Sequence, residues 1–136
     1  MSISFKYEIV GVGAFGLIQR PVARVSFKSP HSDIWTSTVM IVDTGADFTI
    51  LPQYKAKELG ISLSRDCRTE KTAGVGGETK IYILKKKIKA KIGEMERDIP
   101  LAFFDTDEVP ALLGRYGFLE TFDVEFLKSK QVVFKG

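Results

Sequence analysis

The sequence predicts a mostly-β protein, a closed or folded-over barrel with two short helices. Three features carry this: short runs in which apolar and polar residues alternate, β-branched and aromatic residues gathered in those runs, and turn residues between them. Ile3–Val10 and Leu17–Phe27 read as strands around Gly11-Val12-Gly13-Ala14-Phe15-Gly16, whose glycines suit a turn. No helical pattern follows those glycines, so they lack the context of a nucleotide-binding loop. Trp35–Val42 is a further strand, entered from the turn-rich segment Lys28–Asp33. Pro52–Gly60 predicts a short helix, with proline at its start, good helix formers in its middle and glycine at its close. Thr69–Thr72 and Thr79–Leu84 flank Ala73-Gly74-Val75-Gly76-Gly77, which predicts a hairpin whose tip bends freely. Lys86–Ile92 and Arg97–Phe104 are strands about the turn Gly93-Glu94, and Arg115–Thr121 is a second short helix. Phe122–Phe126 and Val132–Lys135 then form a hairpin about Lys128-Ser129-Lys130.

A length of 136 residues suits one compact domain spanning residues 1–136. Hydrophobic residues at 44% and charged residues at 27% match a soluble globular chain, and no apolar run reaches the roughly 18 residues of a membrane span. No membrane partner is expected. The start of the chain alternates like a strand rather than reading as a signal peptide. The lone Cys67 can neither close an internal disulfide nor build a zinc cluster, so the expected compartment is a reducing cytoplasm. The net charge is a modest +3, partly due to Lys85, Lys86, Lys87, Lys89 and Lys91. These alternate with Ile83, Ile88, Ala90 and Ile92 as on the solvated face of a strand pair. With no stacking-aromatic motif or recognition helix beside them, no nucleic-acid partner is expected. His31 lies in a loop without a neighbouring Cys or second His, which makes it a surface residue rather than a metal ligand.

The chemistry-bearing segment is Asp43-Thr44-Gly45-Ala46-Asp47, directly after the apolar run Val39-Met40-Ile41-Val42. The chain leaves a buried strand straight into a tight turn that bears a carboxylate. Gly45 suits unusual dihedrals or close approach of another backbone, and the Thr44 hydroxyl can lock such a turn. Alone, the tripeptide would also fit an ordinary strand exit. A second apolar segment, Pro110-Ala111-Leu112-Leu113, runs into Gly114-Arg115, and the glycine-tipped hairpin lies between the two.

Together these segments resemble the retroviral and retroviral-like (retropepsin-like) aspartic proteases, in particular cellular proteases of microbes. That family pairs an apolar-apolar-Asp-Thr-Gly-Ala loop with a mobile flap and an apolar-apolar-Gly-Arg segment ahead of a helix. Gln19-Arg20-Pro21 is similar to the Gln-Arg-Pro near the start of some retroviral enzymes. The resemblance implies a retropepsin-like barrel in which Gly74, Val75, Gly76 and Gly77 form the flap over an extended peptide. Asp43, Thr44 and Gly45 would be the catalytic loop, and Ala46, Asp47, Val75 and Leu112 would line the substrate.

An aspartic mechanism needs two carboxylates, and this chain has one Asp-Thr-Gly; Asp105-Thr106-Asp107 lacks the glycine and the preceding buried strand. The resemblance therefore implies a homodimer with one Asp43 from each copy. Adjacent carboxylates retain a shared proton, so that one oxygen serves as base toward a water and another as acid toward the leaving amine, without metal or cofactor. By the same resemblance Arg115 pairs with Asp47, and Arg20 of the other subunit approaches that carboxylate. The residues after Arg115 read as an intact hairpin, whereas small retroviral enzymes end sooner in a strand that interleaves with its partner's. This points to a differently built interface. The competing expectation is a retropepsin-like peptide-binding or assembly domain without proteolysis, against which the intact Asp-Thr-Gly argues.

Overall fold

The computed structural model describes residues 1–74 and 77–136, and among these there are fourteen strands, two short α-helices and one 3-10 turn. The strands are β1 (Ser2–Lys6), β2 (Glu8–Gly13), β3 (Gly16–Arg20), β4 (Val22–Lys28), β5 (Trp35–Val42), β6 (Ile50–Leu51) and β7 (Cys67–Gly74). They continue with β8 (Gly77–Leu84), β9 (Ile88–Ile92), β10 (Met95–Ile99), β11 (Ala102–Phe104), β12 (Leu112–Leu113), β13 (Asp123–Leu127) and β14 (Gln131–Lys135). Helix α1 is Tyr54–Glu58 and α2 is Leu63–Asp66. The mostly-β class with two short helices is as the sequence predicts.

Nine strands form the main sheet in the order β10-β9-β4-β5-β12-β6-β11-β8-β7, while β1-β14-β13 make a three-stranded sheet and β2-β3 a separate ribbon. Alternation builds the core. Ala23, Val25 and Phe27 on β4, Met40 and Val42 on β5, and Ile88, Ala90 and Ile92 on β9 all point inward. Their polar neighbours, such as Arg24 and Lys89, stay exposed. Phe118, Phe122, Phe134 and Phe5 form an aromatic chain, with successive ring centroids 5.5, 5.8 and 6.1 Å apart, that joins the three-stranded sheet to this core.

Proline sets several boundaries that alternation does not show. The run Leu17–Phe27 is two strands, because Pro21 has no N–H for the ladder; its carbonyl instead accepts from the Val42 amide at 2.9 Å. Arg97–Phe104 likewise divides at Pro100-Leu101, where the Leu101 carbonyl takes the Leu84 amide at 2.9 Å. Ile3–Val10 divides at Tyr7, whose amide donates to the Lys130 carbonyl before the chain departs into the ribbon.

Helix α1 closes as expected on Gly60, at φ 68°. The helix expected over Arg115–Thr121 is instead a turn followed by a 3-10 segment, Leu119–Thr121. Gly117 there takes φ 72°, which interrupts α geometry, and a Cβ on it would meet Pro100 Cδ at 2.7 Å. The second α-helix is α2, where the Ser62 hydroxyl caps the Arg65 amide and Asp66 accepts the Ser62 amide at 2.8 Å.

Candidate active site

The Asp43 loop is positioned by a crossing of strands. β12 runs parallel to β5, pairing Leu112 with Ile41 and Leu113 with Val42, and antiparallel to β6, pairing Leu112 with Ile50. The strand that leads into the loop and the strand that leaves it thus flank the same two-residue strand. Asp43 is fastened at its root, its amide donating to the Leu113 carbonyl at 3.1 Å. The turn then closes when the Ala46 amide donates to the Asp43 carbonyl at 3.1 Å.

Asp43 is partly buried, and its Oδ1 accepts from the Gly45 amide at 2.9 Å. Gly45 lies outside the left-handed region, so unusual dihedrals do not explain it; a Cβ there would stand 3.2 Å from the same Oδ1. Its bareness keeps the approach to the carboxylate open. Thr44 is exposed beside it.

On the other side of the loop, the Arg115 amide donates to the Ala46 carbonyl at 3.0 Å and the Tyr116 amide to the Asp47 carbonyl at 2.7 Å. The Arg115 guanidinium pairs with the Asp47 carboxylate, so the structure brings together the two residues that the family resemblance pairs. Both side chains are exposed in the single chain, 52% for Arg115 and 79% for Asp47. Gly114 is buried against the loop, where a Cβ would fall 2.2 Å from the Phe48 carbonyl oxygen.

Leu112 and Ala46 are half-buried close to the loop. Arg20 is exposed at the end of β3 opposite Glu8, and among the described residues no ion pair joins it to Asp47 of the same chain. In the glycine-tipped hairpin, β7 and β8 pair from Cys67–Leu84 to Gly74–Gly77, and Gly77 adopts φ 110°. Val75 and Gly76 lie outside the described residues.

Sequence reasoning missed two features here. Thr49 is fully buried, and its hydroxyl accepts from the Gly114 amide at 3.2 Å; its place after Asp47-Phe48, without alternation, gave no sign of this. A pocket of about 250 Å³ also opens beside Asp47, walled by Phe48, Ile83, Leu101, Ala102 and Tyr116. Its walls come from separate segments that only the fold assembles.

The remaining singled-out residues lie away from this loop. His31 is on the surface as expected, yet its Nε2 lies 3.0 Å from Asp66 Oδ2. That hydrogen bond, more than the one from Ser62, holds the Asp66 carboxyl below its ordinary 3.8. Cys67 is buried, and burial pushes its thiol up to about 11, so it is an inert thiol at neutral pH. Among the described residues no helix is long and apolar enough to cross a membrane.

Residues 36–120 match the family described as "gag-polyprotein putative aspartyl protease", which takes in the Asp43 loop, the β7–β8 hairpin and the Gly114-Arg115 segment. The chain belongs to this retropepsin-like aspartic protease family. Its fold is similar to the crystal structure of a retropepsin-like aspartic protease from Rickettsia conorii, with a TM-score of 0.61 at 20% identity, over 95% of this chain and 98% of that one. No curated protein matches the chain.

Proposed function

We propose that this retropepsin-like chain is an aspartic endopeptidase that works as a homodimer, each copy supplying one Asp43. The observation that carries the reading is the buildup around that carboxylate: an intact Asp-Thr-Gly on a loop fastened to Leu113 on one side and to Arg115 and Tyr116 on the other. A group that only bound peptide would gain little from bringing two carboxylates together, because they repel when both are ionised.

At the two-fold axis the Asp43 pair holds one proton and one water. The ionised carboxylate takes a proton from the water as its oxygen attacks the scissile carbonyl carbon; the protonated carboxyl then donates to the departing amine nitrogen as the C–N bond breaks. The Gly45 amide, already on Oδ1, fixes the carboxylate's orientation throughout. Each Thr44 locks the two loops together across the axis, and Arg20 of each copy approaches Asp47 of the other. The extended substrate runs beneath the hairpin tip Gly74, Val75, Gly76 and Gly77, as an added strand held by backbone amides. Apolar side chains beside the scissile bond contact Ala46, Val75 and Leu112, and the pocket beside Asp47 takes a further apolar side chain. A reducing cytoplasm suits the buried, uncombined Cys67.

The test is a peptide-library digest over a range of pH, with and without a statine-type transition-state mimic. Cleavage at apolar pairs that the mimic stops is expected. Cleavage that ignores the mimic but ends on adding a chelator would overturn the mechanism.

A further inference from the structure

Among the described residues the ribbon β2–β3 stands apart from both other sheets, and neither of its edges carries a third strand. An isolated two-stranded hairpin is marginal in water, and exposed edges are normally blunted with charge. Here the opposite holds. Residues 9–19 contain no charged side chain. Ile9, Val10, Val12, Phe15, Leu17 and Ile18 are all exposed, with Val12 81% and the tip residue Phe15 fully in solvent. Among the described residues, no other stretch of the chain gathers as many exposed large apolar side chains.

Two further observations say what covers it. The foot of the ribbon is tied to the catalytic loop: Pro21, next after β3, accepts through its carbonyl from Val42, next before Asp43, at 2.9 Å. A second copy docked at Asp43 therefore lies beside the foot of this ribbon. The C-terminal strand, by contrast, is closed to a partner. β14 lies between β1 and β13, with five residue pairs on each side, so no strand from another copy can enter there. The outer edge at β13 carries Asp123 and Glu125, charges that discourage strand addition.

We propose that the β2–β3 hairpin is the arm by which two copies of this chain grip each other beside their Asp43 loops, in place of interleaved terminal strands. The inference rests on the dimeric reading above and commits to a second copy as the occupant. A two-fold axis at Asp43 makes the contact isologous, so each dimer has two such arms and the apolar faces are covered twice. It also gives Arg20, at the foot of the arm, its route to the neighbouring copy.

Sedimentation velocity across a concentration series, run beside the peptide assay, tests this. Wild type and Asp43→Asn are both expected to sediment as dimers. Phe15→Asp changes a fully exposed tip, so the far-ultraviolet dichroism should stay unchanged while the dimer dissociation constant rises about 30-fold or more. Leu17→Asp should act in the same direction, and the peptidase activity of both variants should return as the protein is concentrated. Hairpin-dependent dimers that cleave no peptide would uphold the arm and refute the protease reading. Active wild type whose sedimentation is unmoved by either variant, or wild type that stays monomeric up to about 100 μM, would overturn the arm.

Discussion

Thr49 and Gly114, 65 positions apart in the chain, are joined by a buried hydrogen bond in which the threonine hydroxyl oxygen accepts the glycine amide at 3.2 Å. It ties the exit of the Asp43 loop to the segment that carries Arg115. Thr49→Val keeps the shape but leaves a buried amide without its acceptor, and should lower unfolding stability by about 1–3 kcal/mol in a denaturant titration. Gly114→Ala has no room, since its Cβ would sit 2.2 Å from the Phe48 carbonyl oxygen. It should cost more than about 3 kcal/mol or prevent folding. A Gly114→Ala protein as stable as wild type would mean that β12 does not press on the loop in this way.

Arg115 calls for the opposite expectation. Its pair with Asp47 is exposed on both sides in the single chain, so Arg115→Ala should change the stability of the dilute, dissociated protein by only about 0–1 kcal/mol. Had the pair been buried, loss of one partner would cost about 3–5 kcal/mol. A chemical denaturation series below the dimer dissociation constant separates the two cases, and a loss near the larger figure would place the pair in the interior.

The contrast between these residues marks what the sequence made legible. The Asp43 loop and the Trp35–Val42 strand beneath it were readable because each is local, a turn tripeptide and an alternating run, whereas the pairing of Asp47 with Arg115, 68 positions away, was legible only through a family motif of fixed order. Thr49 was not, because its role depends on Gly114 arriving from far along the chain. The two-residue strands β6 and β12 are too short for any period to appear, although they hold the site. Pro21 and Pro100 did carry a boundary signal, and the alternation around them masked it. Ser62, an N-cap residue type just ahead of α2, was a signal of the same kind.

Asp66 gives a dependence on acid. Its folded carboxyl is held below the ordinary 3.8, first by the His31 hydrogen bond and then by the Ser62 amide. A carboxyl depressed in the fold contributes stability above its unfolded value, and that contribution fades as pH falls through the folded value. Melting temperature should therefore drop more steeply below pH 3.8 for wild type than for Asp66→Asn. Parallel acid limbs for the two proteins would mean that the His31 contact does not persist in solution.

The last prediction concerns the assembly on which the mechanism depends. Asp43→Asn keeps the shape of the side chain and its acceptor for the Gly45 amide but cannot share a proton, so the pure variant should fold, dimerise and cleave nothing. An equal mixture of wild-type and Asp43→Asn subunits, co-refolded so that partners exchange, should pair at random. Only pairs of two wild-type chains hold both carboxylates, so about one quarter of the sites should turn over, against about one half if each chain worked alone. Total protein must be held constant across the mixtures, because dilution below the dissociation constant removes activity by itself. A quadratic fall of activity with the variant fraction is the expected curve. A linear fall, with a monomeric sedimentation profile during turnover, would mean that the second catalytic group lies within the same chain, and the two-copy site would have to be abandoned.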